Sequence, residues 1–181
     1  MLTIVVPGVE GWDEQKEEFV QAQPPVVLQL EHSLLSLSKW EAKWKKPFLT
    51  KDAKTEEETI DYIRCMNLNP STPYAVYKRL SSKNLKAVDA YINDKYSATT
   101  IRESEHGRRS SEIVTSELIY YWMVSLNIPF ECQKWHLNRL LTLIRVCNIK
   151  NQPPKKRSKQ DIMRENAALN AARRKKAHSR G

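Results

Sequence analysis

The sequence predicts an α+β protein, predominantly helical. It has small N-terminal β-strands, a helical body closed by a C-terminal helical hairpin, and a basic tail that is flexible or helical. Three observations carry this. The short aliphatic runs "LTIVV" (2–6) and "VVLQL" (26–30) sit near the N-terminus. Beyond Leu30, most of the chain repeats its apolar residues every three or four positions, the helical period. From Lys150 onward the chain turns basic and has no Phe, Tyr or Trp. The expected division is a compact domain over 1–149 and an extension over 150–181.

Pro7, Gly8 and Gly11 follow the first strand, and Pro24-Pro25 precede the second, as strand boundaries do. "EEFVQ" between them reads equally as a third strand or a helical turn. After the second strand comes a helix, capped by Ser33 and stopped before Pro47, with Leu34, Leu37, Trp40 and Trp44 on one side. "TEEETIDYIRCM" opens with Thr55 and Glu58 at capping-box spacing, and its three glutamates lie where the helix dipole favours them. "TPYAVYKRL" places Pro73 after a Thr cap. "SSKNLKAVDAYIND" gives another helix, with Leu85, Val88 and Ile92 in step. "YSATTI" (96–101) suits a strand, and "RESEHGRRSS" a charged loop. The hairpin is expected over "SSEIVTSELIYYWMVSLNIPFECQKWHLNRLLTLIRVCNIK". Its first helix, from Ile113 to Leu126, is apolar all round and so expected to be buried. Its second carries a wet stripe of Glu131, Lys134, Asn138, Thr142, Arg145 and Asn148. Trp122 on the first helix and Trp135 on the second are among the core candidates. Pro153 and Pro154 end it. In the last segment, Ile162, Met163 and Leu169 give a lone helix only a thin apolar side.

The chain has 181 residues, a mean hydropathy of −0.62 and a formal net charge of +9. Residues 150–181 hold eleven basic and two acidic side chains, so the whole excess sits there and residues 1–149 are formally neutral. No apolar run is long enough to span a membrane. The N-terminus lacks a signal-peptide pattern, which points to the cytosol. Cys65, Cys132 and Cys147 form no CxxC pair and read as reduced thiols. Four glycines cannot build a phosphate-cradling loop, and no nucleotide-binding or hydrolase motif occurs. No cofactor, metal or catalytic residue is expected.

The remaining candidates each have two readings. Cys132 and His136, four apart on a helix, could begin a zinc site or a nucleophile pair; the plainer reading makes His136 a core histidine hydrogen-bonded to backbone or an acid. Arg139 points to the apolar side and would take Glu117 or Glu112 as its partner. Glu56, Glu57 and Glu58 read as a solvated helix start. Trp40 and Trp44, one turn apart beside Lys39, Lys43, Lys45 and Lys46, could stack RNA bases, anchor a protein partner, or pack under lysine stems. The tail clusters Lys155, Lys156, Arg157 and Arg173, Arg174, Lys175, Lys176 could neutralise phosphates or dock on an acidic protein surface. The missing aromatics weigh against single-stranded nucleic acid.

The strings "LQLEHSLLSLSKWEAKW", "SELIYYWMVSLNIPFECQKWHLNRLLTLIRVCNIKNQPPKK" and "NAALNAARRKK" resemble the tail assembly chaperones of long-tailed actinobacterial and related bacteriophages. The resemblance covers most of the chain and is strongest over 30–44 and 116–156. It implies a non-enzymatic morphogenesis protein of the infected cell's cytoplasm. Such a protein binds the helical tape-measure protein, keeps it soluble and helps recruit tail-tube subunits. The family supplies no catalytic residues. Two other classes stand beside it: a nucleic-acid-binding protein acting through the tail, and a structural head–tail component of the virion.

Overall fold

The computed structural model describes residues 1–14, 17–100, 112–151 and 159–176. They form an α+β fold in two compact units, Met1–Asn148 and Ile149–Gly181.

In the first unit, β1 (Leu2–Val6) pairs antiparallel with β4 (Val26–Leu30), Leu2 opposite Leu30 and Val6 opposite Val26. The pleat sends alternate side chains to opposite faces. Ile4, Val6, Leu28 and Leu30 are buried, while Val5 and Val27 face outward. Between these strands lie β2 (Val9–Asp13) and β3 (Glu18–Gln23), a second antiparallel pair in a sheet of its own. β3 settles the "EEFVQ" ambiguity as strand. β2 was not anticipated: Gly11, read as a boundary after the first strand, lies within it, and its sequence has no period-2 core face to announce it. The pair is held by its ladder, with a register shift at Val9/Glu10, and by Trp12 opposite Phe19.

Helix α1 (Leu34–Trp44) is capped by Ser33, whose hydroxyl accepts from Ser36 N while Ser36 Oγ accepts from Ser33 N. It ends on Lys45 in the left-handed region at φ 54°, ahead of Pro47. α1 stands between two hydrophobic cores. Trp40 belongs to the first, with the β1–β4 sheet, α2 (Glu56–Met66) and α4 (Ser82–Asn93). Leu34 and Leu37 belong to the second, with α5 (Ser116–Ser125) and α6 (Leu137–Asn151). The Thr55–Glu58 capping box of α2 forms as its spacing predicts. The short α3 (Tyr74–Tyr77) departs from expectation: Pro73 itself is the cap position, and Thr72 instead accepts from the Asn67 amide.

Two further expectations are corrected. Residues 96–100 form no strand, and Tyr96 takes a left-handed turn at φ 49°; the loop at 102–111 lies outside the described residues. The hairpin's second helix is broken. Phe130–Lys134 is a 3₁₀ turn, Trp135 is extended, and His136 makes an antiparallel bridge to Ser33 before α6 begins at Leu137. A tertiary bond decides this: Leu137 N–H donates to His32 O at 2.7 Å, tying the start of α6 to the strand exit. The same short segment receives Leu68 N–H at Gln29 O and gives Glu31 N–H to Met66 O, so residues 29–33 stitch α2 to α6. In α5, Ile113 and Val114 precede the Thr115 cap. Only Ser116, Ile119 and Met123 are buried, so the expectation of an all-round buried helix fails.

The second unit contains α7 (Lys159–Lys176), a helix with Ile162, Met163 and Leu169 exposed. Pro153 and Pro154 lie outside the described residues. Among the described residues, no helix is long and apolar enough to cross a membrane.

Candidate functional site

Side chains fall into a buried polar set and three exposed surfaces. The buried set holds most of the sequence-selected residues. Trp40, a candidate partner-binding residue, is corrected to core: it is 1 % exposed, and its Nε1 donates to Glu58 O at 2.8 Å. That bond satisfies the indole N–H and lets the ring bury whole. Trp44 is half-buried, donates to Asp61 Oδ2 at 2.9 Å, and carries Lys43 Nζ 5.1 Å from its ring centre. This is the lysine-over-ring arrangement.

Three carboxylates are buried around α1. Asp61 accepts from Trp44, from Lys43 Nζ at 2.9 Å and from Arg64 Nε at 2.8 Å. Burial would raise its pKa, but the hydrogen bonds from Lys43, Arg64 and Trp44 outweigh it and hold the carboxyl below its ordinary value. Glu58 is buried too, against the expectation of a fully solvated EEE run; it accepts from Lys46 Nζ at 2.6 Å and Thr55 N at 2.8 Å. The Lys46 bond is the main reason its pKa is lowered. Glu41 receives two backbone amides, Phe48 N at 2.8 Å and Ser116 N at 2.7 Å. It caps α5 from α1.

His136 is 3 % exposed, its Nε2 3.0 Å from Tyr91 O, and its ring stacks on Tyr96 at 4.5 Å between centres. His32 lies edge-on to it at 5.1 Å, with Nδ1 2.6 Å from the Tyr62 hydroxyl. Burial, reinforced by the neighbouring His136, pushes the His32 pKa down to about 3. Burial also lowers that of His136. Two neutral, buried imidazoles of this kind are built to pack. Cys132 does not share a helix face with His136, because it sits in the 3₁₀ turn, and burial raises its thiol pKa, which disfavours the thiolate. Cys65 is raised by burial as well, and all three cysteines are free. No group of three or more His, Cys, Asp or Glu able to hold a metal occurs among the described residues.

Trp122 and Trp135 are half-buried against the second core. Arg139 is corrected: it is not drawn into the core, and its guanidinium lies 4.2 Å from the Trp135 ring centre. The buried face of α6 is Leu137, Leu140 and Ile144, and Arg139 falls on the flank of that face.

The first exposed surface is the outer side of α5. Tyr121 is 64 % and Val124 60 % exposed, and Glu117, Tyr121 and Val124 share one face by spacing. An open groove of about 700 Å³ is lined by apolar residues, Leu49, Val114, Trp122 and Leu141 among them, and by charged ones, Lys51, Asp52 and Arg145 among them. Sequence reasoning missed Tyr121 and Val124. A helix apolar on every side signals either full burial or an interface, and the periodicity is the same for both. The second surface is the β2–β3 ribbon. The third is the basic end of α7, where Arg173, Arg174, Lys175 and Lys176 are exposed. Lys155, Lys156 and Arg157 lie outside the described residues.

Fold and surfaces together define an α+β protein with a helical body, sealed polar interior and apolar outer patches. No family model, curated protein or solved structure matches the chain.

Proposed function

We propose that this protein is a non-enzymatic tail assembly chaperone of a long-tailed bacteriophage. It acts in the host cytoplasm, holds the tape-measure protein soluble and assists tail-tube assembly. The observation that carries the reading is the exposed apolar face of α5, Tyr121 and Val124; Trp122 of the same helix helps line an open groove of about 700 Å³. Exposed apolar surface of this kind marks interaction sites. A groove lined by both apolar and charged side chains suits an amphipathic helix, the form of a helical tape-measure protein. The identity of that partner comes from the sequence resemblance.

Co-expression with the tape-measure protein is expected to raise that protein's soluble yield. The Tyr121→Asp, Val124→Asp double variant should lose the gain while keeping its melting temperature, because exposed positions change stability by only about 0.5 kcal/mol. No gain with the folded wild type, or full gain with the variant, overturns the proposal.

One observation favours a second reading. Arg173–Lys176 present four consecutive exposed cations, an electrostatic footprint for a phosphate backbone. If nucleic acid is the partner, neutralising these four residues flattens the salt dependence of duplex binding by a log–log slope of about 3 to 4. If the chaperone reading holds, duplex binding is weak and the variant matches the wild type. Abundant protein in purified virions would instead support a head–tail structural role.

A further inference from the structure

The β2–β3 ribbon is the least explained part of the fold. It is a two-stranded sheet with no third strand beside it among the described residues. A lone hairpin is marginal in water. Trp12 and Phe19 face each other across it, ring centres 5.1 Å apart and edge to face, yet they are 55 % and 70 % exposed. An aromatic pair of this size left in water is an anchor without its socket. The ribbon is also acidic: residues 9–23 carry Glu10, Asp13, Glu14, Glu17 and Glu18 against Lys16 alone. Its occupant must therefore be cationic and bring some apolar surface.

The same chain contains a segment of that chemistry. The extension from Lys150 holds eleven basic side chains against two acidic ones. Within it, α7 exposes Ile162, Met163 and Leu169 and ends in four cations. Arginine and lysine also suit an aromatic pair in an acidic stretch, since the ring face attracts a cation. An exchange between two copies would make the contact twice in a closed twofold dimer.

We infer that the acidic β2–β3 ribbon, anchored by Trp12 and Phe19, is a docking site for the basic extension of a second copy of this chain. The contact is carried by charge, so it weakens with salt. It is separate from the α5 groove and stands or falls independently of the proposed partner.

The test is sedimentation of the full chain across a range of concentration and salt, with two charge reversals. One is Glu10→Lys, Glu17→Lys, Glu18→Lys. The other is Arg173→Glu, Arg174→Glu, Lys175→Glu, Lys176→Glu. All seven positions are exposed, so melting temperatures should hold. The wild type is expected to dimerise reversibly, less so at high salt. Each reversal alone should weaken dimerisation by about tenfold or more. An equimolar mixture of the two reversals should restore it, because the acidic and basic surfaces of unlike copies become complementary again. Trp12→Ala with Phe19→Ala should weaken it without altering the salt slope. A wild type that stays monomeric, a reversal that dimerises normally, or a mixture that stays monomeric overturns the inference. So do ribbon–extension cross-links found only within one chain in an isotope-mixed sample.

Discussion

Replacing Glu41 with alanine is expected to destabilise the protein by about 2–6 kcal/mol, one buried and one part-buried donor orphaned at about 1–3 kcal/mol each. The carboxylate is 7 % exposed, and each oxygen takes a backbone amide, one from Phe48 and one from Ser116. The Ser116 amide is buried, so it has no water to turn to once the carboxylate is gone. Ser116 is the first residue of α5, where the unpaired amides and the helix dipole both favour a negative charge. Removing Glu41 also unties α1 from the loop after Pro47 and from α5, the helix proposed to meet the partner. Glu41→Gln keeps one acceptor but turns an NH₂ group toward an amide, so its cost should approach that of alanine. Urea denaturation checks this: the midpoint should fall with an unchanged m-value. A loss below about 1 kcal/mol would show that the amides find other acceptors.

Glu41 also shows where the sequence stops being informative. The Ser33 cap and the Thr55–Glu58 capping box span only three residues, and both were readable because a cap is a local competition for amides. The short aliphatic runs "LTIVV" and "VVLQL", bounded by Pro and Gly, predicted β1 and β4 because strand propensity is local too. Glu41 meets Ser116 across 75 positions, and nothing in "WEAKW" signals it. The hairpin erred in the same way. Residues 131–148 keep a helical period, but the bond from Leu137 N–H to His32 O interrupts them, and that bond depends on where the β-sheet delivers residue 32. The break separates Cys132 from His136. Trp40 drew surface readings from its lysine neighbours, and packing, the reading set beside them, is the one the fold selects. α1 is flanked by cores on two sides, and the lysines occupy the remaining strip. Periodicity shows which residues are apolar; the neighbours decide which of them stay uncovered, as Tyr121, Val124, Trp12 and Phe19 do.

Acidification within the range where carboxylates remain charged is expected to weaken the fold, and the buried histidines supply the cause. An unfolded histidine binds a proton near its ordinary value of 6.5, whereas His32 in the fold does so only at about 3. The unfolded state therefore holds more protons throughout that interval. The stability is complete above 6.5 and is lost progressively as pH falls toward 3. From about pH 7 to about pH 5, His32 alone removes about 2 kcal/mol. His136, lowered in the same direction, adds to the loss. Asp61 and Glu58 behave oppositely: their lowered values contribute stability above the ordinary carboxylate range, lost only as pH falls through their folded values. Their share is thus nearly constant in the upper window, and the slope there belongs to the histidines. The groups around the pair fit this assignment. Tyr62 and Tyr91 are raised by burial and stay protonated throughout. Glu31, held by the N-terminal amine at 3.1 Å and by the Tyr91 hydroxyl at 2.6 Å, favours a charged His136 but does not overcome its burial. Urea midpoints measured across this window should fall steadily for the wild type. His32→Gln, which keeps a polar group near Tyr62 but cannot titrate, should be less stable at neutral pH and show a clearly shallower slope. A flat wild-type profile, or an unchanged slope in the variant, would mean that the buried imidazoles take up protons without unfolding the chain.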